Sequence, residues 1–142
     1  MDMEQLTNAG SDYLLEIGIE ELHKDSKVWM SRIELWKREL LFFQKLLDSY
    51  STKFDNPEDK KAEGHFQNLI IYYSGELLDE YKQAVSRQEK RLAELVSVDN
   101  PDQVDQAEFR NHQIRLKEKV DSFDREFRKY KHDFFAFIEK VI

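Results

Sequence analysis

The fold is decided by the stretch from Ser26 to Phe54, which reads SKVWMSRIELWKRELLFFQKLLDSYSTKF. Its apolar residues recur at alternating intervals of four and three: Trp29, Ile33, Trp36, Leu40, Phe43, Leu47, Tyr50 and Phe54. This spacing predicts an α-helix with a heptad stripe that packs against other helices. Every seventh residue on one edge of the stripe is aromatic, so this helix is expected to supply much of the volume of the core.

Two turns that contain proline divide the rest of the chain. Proline lacks an amide proton, so the first helix is predicted to end before Pro57 and the second before Pro101. The predicted helices span about residues 12–54, 58–97 and 102–141. Short turns between long helices favour antiparallel neighbours, so the sequence predicts an all-α fold, an elongated antiparallel up-down-up bundle of three long helices. Residues 1–10 are predicted to be frayed, and 1–142 to form a single domain.

The residues before the opening stretch, 12–24, allow two interpretations. Apolar residues in phase with its stripe occur at Leu15, Ile19 and Leu22. Unbroken periodicity therefore favours one continuous helix. In the alternative, 12–24 fold back as a short helix and complete a four-helix bundle, because Gly18 weakens a helix and Ser26 can act as an N-cap.

The second and third helices carry their own apolar stripes. In the second helix the stripe steps by four, four and three, which is an eleven-residue repeat; it comprises Ala62, Phe66, Ile70, Tyr73, Leu77, Tyr81, Ala84, Gln88, Leu92 and Leu95. In the third helix it is a heptad, and it comprises Phe109, Gln113, Leu116, Val120, Phe123, Phe127, Tyr130, Phe134, Phe137 and Val141.

Each stripe contains one polar residue, and the antiparallel arrangement places these three at one level. They are Ser26, Gln88 and Gln113. One interpretation is a buried hydrogen-bonded layer that determines the register of the helices at some cost in stability. The other is a small polar pocket that binds a ligand.

A further set of apolar residues and glycines lies outside these stripes and is predicted to form an interface. Two interior glycines, Gly64 and Gly75, disfavour a helix and indicate close packing against a partner. The candidate interface residues are Val28, Leu35, Phe42, Leu46, Gly64, Ile71, Gly75, Leu78 and Val85. Exposed apolar stripes are unfavourable, so we expect a second copy of the chain in a homodimer, the folded-back helix or another protein to cover them.

Composition excludes several classes of function. The 142-residue chain carries a net charge of -7, which disfavours binding to nucleic acid and to anionic membranes. No cysteine is present, which excludes disulfides and thiol chemistry. The N-terminus lacks the features of a signal peptide and no apolar run reaches about 20 residues, so a soluble cytoplasmic protein is expected.

Catalytic and metal-binding motifs are not found in the sequence. No glycine-rich phosphate loop or serine elbow occurs. Glu20 and His23 have the spacing found in carboxylate-bridged di-iron bundles, but such sites need a second pair, which this sequence lacks. We therefore predict no enzyme activity, no catalytic residue, no cofactor and no metal.

Several short segments resemble a family of small uncharacterised helical proteins from Bacteroidetes-type bacteria. These segments are Leu22-His23 with Trp29, His65-Phe66-Gln67-Asn68, Asn111-His112 and Phe134-Phe135-Ala136-Phe137-Ile138. The resemblance covers most of residues 20–142. It implies an intracellular bacterial protein with long helices, implies no activity, and draws attention to His23, His65 and His112.

Together these features predict a non-enzymatic helical bundle that acts through protein–protein contacts, including self-association, with an unknown partner. The alternative is a bundle that binds a small ligand or metal at the level of Ser26, Gln88 and Gln113.

Overall fold

The computed structural model describes residues 17–99 and 101–142, and these residues form an all-α helical bundle without strands. Its elements are α1 (Ile19–Tyr50), a 3-10 turn (Ser51–Lys53), α2 (Pro57–Tyr72), a π-helical turn (Tyr73–Leu77), α3 (Leu78–Val96) and α4 (Gln103–Ile138). The all-α bundle predicted from the apolar periodicity is confirmed.

Helix α1 begins later than predicted. Gly18 has a φ of 89°, a left-handed conformation that interrupts a right-handed helix, and its carbonyl accepts the first bond, from the amide of Leu22, at 3.1 Å. The predicted continuous helix is therefore interrupted at Gly18, and the predicted start near residue 12 lies outside the described residues, as do residues 12–16. Because 19–24 belong to the same helix as Ser26, the folded-back alternative is wrong for that segment. Ile19 is 46% exposed and does not join the core.

The connection between α1 and α2 contains an N-cap residue and a proline. The side-chain oxygen of Asn56 accepts a hydrogen bond from the amide of Asp59 at 2.8 Å, and Pro57 occupies the first turn of α2. Helix α1 ends at Tyr50 instead of residue 54, because the chain tightens into the 3-10 turn. Phe54 is nevertheless fully buried, and its ring stacks on that of Phe137 at 4.3 Å.

The π-helical turn changes the register predicted for the second helix. A π turn contains one residue more than an α turn, so the buried position after Tyr73 is Leu78, five residues on, instead of Leu77. From there the buried residues continue as a heptad: Tyr81, Val85, Gln88, Leu92 and Leu95. The predicted eleven-residue repeat is thus two heptad stripes joined by one inserted residue.

The described residues pack into two compact units. Residues 17–31 and 82–120 form one, called here the glutamine unit, and residues 32–81 and 121–142 form the other, the aromatic unit. Helices α1, α3 and α4 contribute residues to both.

In the aromatic unit three helical segments run up, down and up. Helix α1 runs antiparallel to α2 and to the first turn of α3, because Gln44 contacts Gln67 of α2 and Lys37, earlier on α1, contacts Asp79 of α3. It contacts α4 in the parallel sense: Trp36 meets Phe123 at 4.8 Å between ring centroids, and farther along both helices Phe43 meets Phe134 at 4.6 Å. The core consists largely of such aromatic pairs, which stabilise it beyond the area they bury.

In the glutamine unit the core is smaller and partly polar. Leu22, Leu92, Leu95 and Phe109 form an apolar cluster. The buried polar residues of the unit are Ser26, Gln88, Gln106 and Gln113. This unit therefore contains the candidate polar site.

Candidate functional site

The three residues of the predicted polar layer all lie in the interior of the glutamine unit, each no more than 5% exposed. Gln88 joins two helices, because its Nε2 donates to Gln113 Oε1 at 2.8 Å and to the carbonyl oxygen of Phe109 at 3.2 Å. Its Oε1 accepts a hydrogen bond from Arg91 Nη1 at 3.0 Å. Gln88 thus fixes the local register of α3 and α4 and also holds Arg91.

One polar atom of this layer remains unsatisfied. Within the part of the chain that the structure describes, buried Gln113 Nε2 has no hydrogen-bond partner. A third buried glutamine, Gln106, donates to the carbonyl oxygen of Pro101 at 3.4 Å. Sequence reasoning missed Gln106, although it precedes Phe109 by three residues and so continues the heptad of α4.

Gln88 also lines an open groove between α3 and α4, here called the basic groove. The lining residues are Ala84, Arg87, Gln88, Arg91, His112, Arg115, Leu116 and Lys119, and the volume is about 290 Å³. The lining contains four permanent cations and no carboxylate. The pKa of His112 is lowered, first by burial and then by Arg91 and Arg115, although Glu108 opposes the shift. The groove therefore has a positive potential within an acidic protein.

A neighbouring cleft between the same two helices has the opposite charge. Its carboxylates are Glu94, Asp102, Asp105 and Glu108, and its volume is about 530 Å³. Arg91 and His112 line both cavities. The charge on this surface of the glutamine unit therefore changes from positive in the basic groove to mainly negative in the neighbouring cleft.

The histidine with di-iron spacing makes a different contact. His23 Nδ1 lies 2.5 Å from Glu89 Oε2, so the pair joins α1 to α3. Buried Glu89 Oε1 has no hydrogen-bond partner among the residues described. No group of three His, Asp or Glu side chains suited to a metal ion occurs in 17–99 and 101–142. The His23–Glu89 pair therefore acts as a contact between helices.

His65 belongs to the aromatic unit and lines a small cleft of about 250 Å³ between α2 and α4. Two tyrosines stabilise the walls of this cleft. Tyr73 Oη donates to Glu126 Oε1 at 3.0 Å, and Tyr130 Oη donates to the carbonyl oxygen of Phe66 at 3.1 Å. Burial raises the pKa of both hydroxyls well above the usual range, so they stay protonated as donors.

The predicted interface residues separate into exposed and buried sets. Val28, Leu35, Phe42 and Ile71 are 41–59% exposed, Gly64 and Gly75 are exposed, and Leu46 is half-buried. Leu78 and Val85 are 0% and 1% exposed, so their assignment to an interface is wrong. The extra residue of the π turn rotates both into the core in place of Leu77 and Ala84.

The exposed residues of the aromatic unit lie on two different faces. Leu35 and Phe42 are one helical turn from Glu39, which binds Lys131 of α4 at 3.0 Å, so they lie on the α4 side of α1. Gly64 and Ile71 are one turn from Gln67, which contacts Gln44 of α1.

Phe42 and Ile71, which the predicted interface combined, therefore lie on different faces of the aromatic unit. A Cβ added at Gly64 or at Gly75 would meet no described atom within 4 Å, so close packing against the described residues does not explain these glycines.

Comparisons with protein-family models, with curated proteins and with solved structures gave no match. Among the described helices, none is long and apolar enough to cross a lipid bilayer.

Proposed function

We propose that this protein is a non-enzymatic helical bundle that acts through protein–protein contacts, beginning with association between two copies of the chain. The observation that carries the proposal is an exposed apolar surface on the aromatic unit, called here the Phe42 patch. It consists of Leu35, Phe42 and Phe135, which are 56%, 53% and 42% exposed. Large apolar side chains grouped on one face are typical of surfaces that bind a protein.

The Phe42 patch is held by contacts within the unit. Lys131 Nζ binds Glu39 Oε2 at 3.0 Å, one helical turn from Phe42 on α1 and from Phe135 on α4. The ring of Phe135 packs edge-on against buried Phe43 at 5.4 Å between centroids. Side chains that are ordered before binding lose less entropy in a complex, which favours association.

The partner that we propose for the Phe42 patch is a second copy of the chain. A two-fold axis brings the same patch of both chains together, so one apolar surface covers the other without any further sequence. The resemblance to intracellular bacterial proteins supports placing this association in the bacterial cytoplasm. An additional protein partner can then bind the surfaces that self-association leaves exposed.

The experiment is sedimentation velocity over a wide range of protein concentration. We expect a dimer that dissociates on dilution, and we expect Phe42→Gln to shift the equilibrium to the monomer. The matched control is Val104→Gln, which replaces another exposed apolar residue, in the glutamine unit, and should leave the equilibrium unchanged. A wild-type mass equal to one chain at every concentration would refute self-association.

A specific observation favours a second candidate function, binding of a small ligand at the Ser26, Gln88 and Gln113 level. Gln113 Nε2 is a buried donor without a partner among the described residues, and such an atom can bind a ligand acceptor. Stabilisation of the folded protein by a ligand would support this candidate, and equal stabilisation of a Gln113→Leu variant would refute it.

A further inference from the structure

The basic groove places like charges next to one another on both of its walls. On α3, Arg87 and Arg91 are four residues apart, and on α4 so are Arg115 and Lys119. Like charges at this spacing repel on a helix surface. The two pairs lie on opposite walls of the groove, so the cations of α3 also repel those of α4.

The cations of the groove lack the carboxylate partners that would offset this repulsion. Among the described residues, no carboxylate oxygen lies within 4.0 Å of a side-chain nitrogen of Arg87, Arg115 or Lys119. Arg91 donates to the neutral Oε1 of Gln88. Some cations outside the groove do form ion pairs, as Lys131 does with Glu39. Arg87, Arg115 and Lys119 therefore have no carboxylate partner among the described residues, although the whole chain carries a net charge of -7.

We propose that the basic groove of α3 and α4 is a binding site for a compact, multiply charged anion of the di- or triphosphate class. Arginine suits such a ligand, because its planar guanidinium donates two parallel hydrogen bonds to phosphate oxygens. Arg87 and Arg115 approach the ligand from opposite walls, and Lys119 adds a point charge. Gln88 holds Arg91 before the ligand arrives, so part of the site is preorganised.

The adjacent acidic cleft selects a compact ligand over a long one. Its carboxylates, including Glu94 and Glu108, would repel a phosphate chain that continued out of the basic groove along the same two helices. A nucleic acid strand requires a positive surface over several nucleotides. The change from positive to negative charge along the two helices therefore favours binding of a short anion and disfavours binding of nucleic acid.

His112 supplies a direct probe of the site, because it lines the groove. The charged groups that act on its pKa are Arg87, Arg91, Arg115 and Glu108. The three arginines lower the pKa and Glu108 raises it. A bound anion neutralises the arginines and accepts a hydrogen bond from the protonated ring, so occupancy raises the pKa of His112.

The test is a titration of the full chain with inorganic pyrophosphate, followed by calorimetry and by nuclear magnetic resonance of the His112 ring. We expect saturable binding and a higher His112 pKa in the complex. In the double variant Arg87→Gln/Arg115→Gln the affinity should fall about tenfold or more, because two charge-assisted contacts are lost.

The matched control is Arg38→Gln/Arg125→Gln, which removes the same charge from exposed positions outside the groove and should retain wild-type affinity. Acetate, a single charge, should bind far more weakly than pyrophosphate. Three results would each overturn the proposal: no saturable pyrophosphate binding, an equal loss of affinity in both double variants, or groove-dependent binding of a single-stranded oligonucleotide without binding of pyrophosphate. Circular dichroism of each variant verifies that it is folded.

Discussion

At the scale of single residues, Gln88 links the interior of the glutamine unit to its surface. It donates to Gln113 and to the Phe109 carbonyl, and it accepts from Arg91. A buried pair of this kind contributes little net stability but costs much when one member is removed, because the other keeps an unsatisfied polar group. The pair therefore favours one register of α3 against α4.

Substitution of the two glutamines tests this account. Gln88→Leu alone leaves Gln113 Oε1 without its donor, and we expect a loss of about 1–3 kcal/mol in the free energy of unfolding. The double variant Gln88→Leu/Gln113→Leu removes both polar groups and should be more stable than the wild type. Urea denaturation measures both, with exposed Gln83→Leu as the control. A double variant less stable than either single variant would contradict this account.

A second residue-scale prediction concerns Asp25, beside the polar layer. Its pKa is raised by burial and then by Glu21, while Lys117 and Lys24 partly oppose the shift. A carboxyl whose pKa is higher in the folded state contributes stability below its unfolded pKa of about 3.9, and loses this contribution as the pH rises through its folded pKa. Charged Asp25 therefore destabilises the fold at neutral pH.

We accordingly expect Asp25→Asn to raise the melting temperature at pH 7, and the gain to shrink steadily as the pH is lowered toward 4. The comparison is Asp55→Asn, an exposed carboxylate for which the gain should be absent. Thermal melts followed by circular dichroism over this pH range measure the difference. A gain that does not depend on pH would assign the effect to packing instead of charge.

At the scale of elements, the π-helical turn at Tyr73–Leu77 determines which side of α3 is buried. It inserts one residue between two heptad stripes, so Leu78 and Val85 join the core and Leu77 and Ala84 move toward the surface. Gly75, within the turn, is exposed and would have open space around a Cβ. One residue of the turn can therefore be deleted, and the buried residues on either side would still lie on the same face of the helix.

Deletion variants test the role of the turn. Deleting Gly75 converts the five-residue step from Tyr73 to Leu78 into a regular step of four, and we expect the protein to fold with similar stability. Deleting Ser86, an exposed residue of regular α3, moves every later core residue about 100° around the helix and should abolish cooperative folding of the glutamine unit. Denaturation curves measure the stability of both deletion variants. An equal loss of stability in the two would contradict the role given to the π-helical turn.

At the scale of the whole molecule, charge and apolar surface support different kinds of contact. The net charge of -7 opposes close approach of two copies, whereas the Phe42 patch favours it. Higher salt screens the repulsion and leaves apolar contacts largely intact. Self-association is therefore expected to strengthen with ionic strength.

Thermal stability gives an independent measure of this association. If the folded chain pairs with a second copy, mass action raises the melting temperature as protein concentration increases. We expect this dependence in the wild type and in Val104→Gln, and its loss in Phe42→Gln. A melting temperature that is the same for all three proteins over a hundredfold dilution would exclude a stable dimer.

Much of the fold could be predicted because its signals are local. Pro57 begins α2 because its ring fixes a φ that suits the first helical turn, and Asn56 caps α2 through its own side chain. The aromatic stripes of α1 and α4 follow from spacing along one helix. Gln88 could be paired with Gln113 because the short turn between α3 and α4 defines which levels of these two helices meet.

The sequence by itself determined the all-α class, the turns and the stripes of α1 and α4. Only the tertiary structure decided the register after Tyr73, because Leu77 and Leu78 are both leucine, Ala84 and Val85 are both apolar, and periodicity cannot choose between them. It also decided that Arg87 and Arg115 share one groove. That proximity depends on how α3 and α4 are rotated against each other, which the packing of buried Gln88 and Gln113 determines.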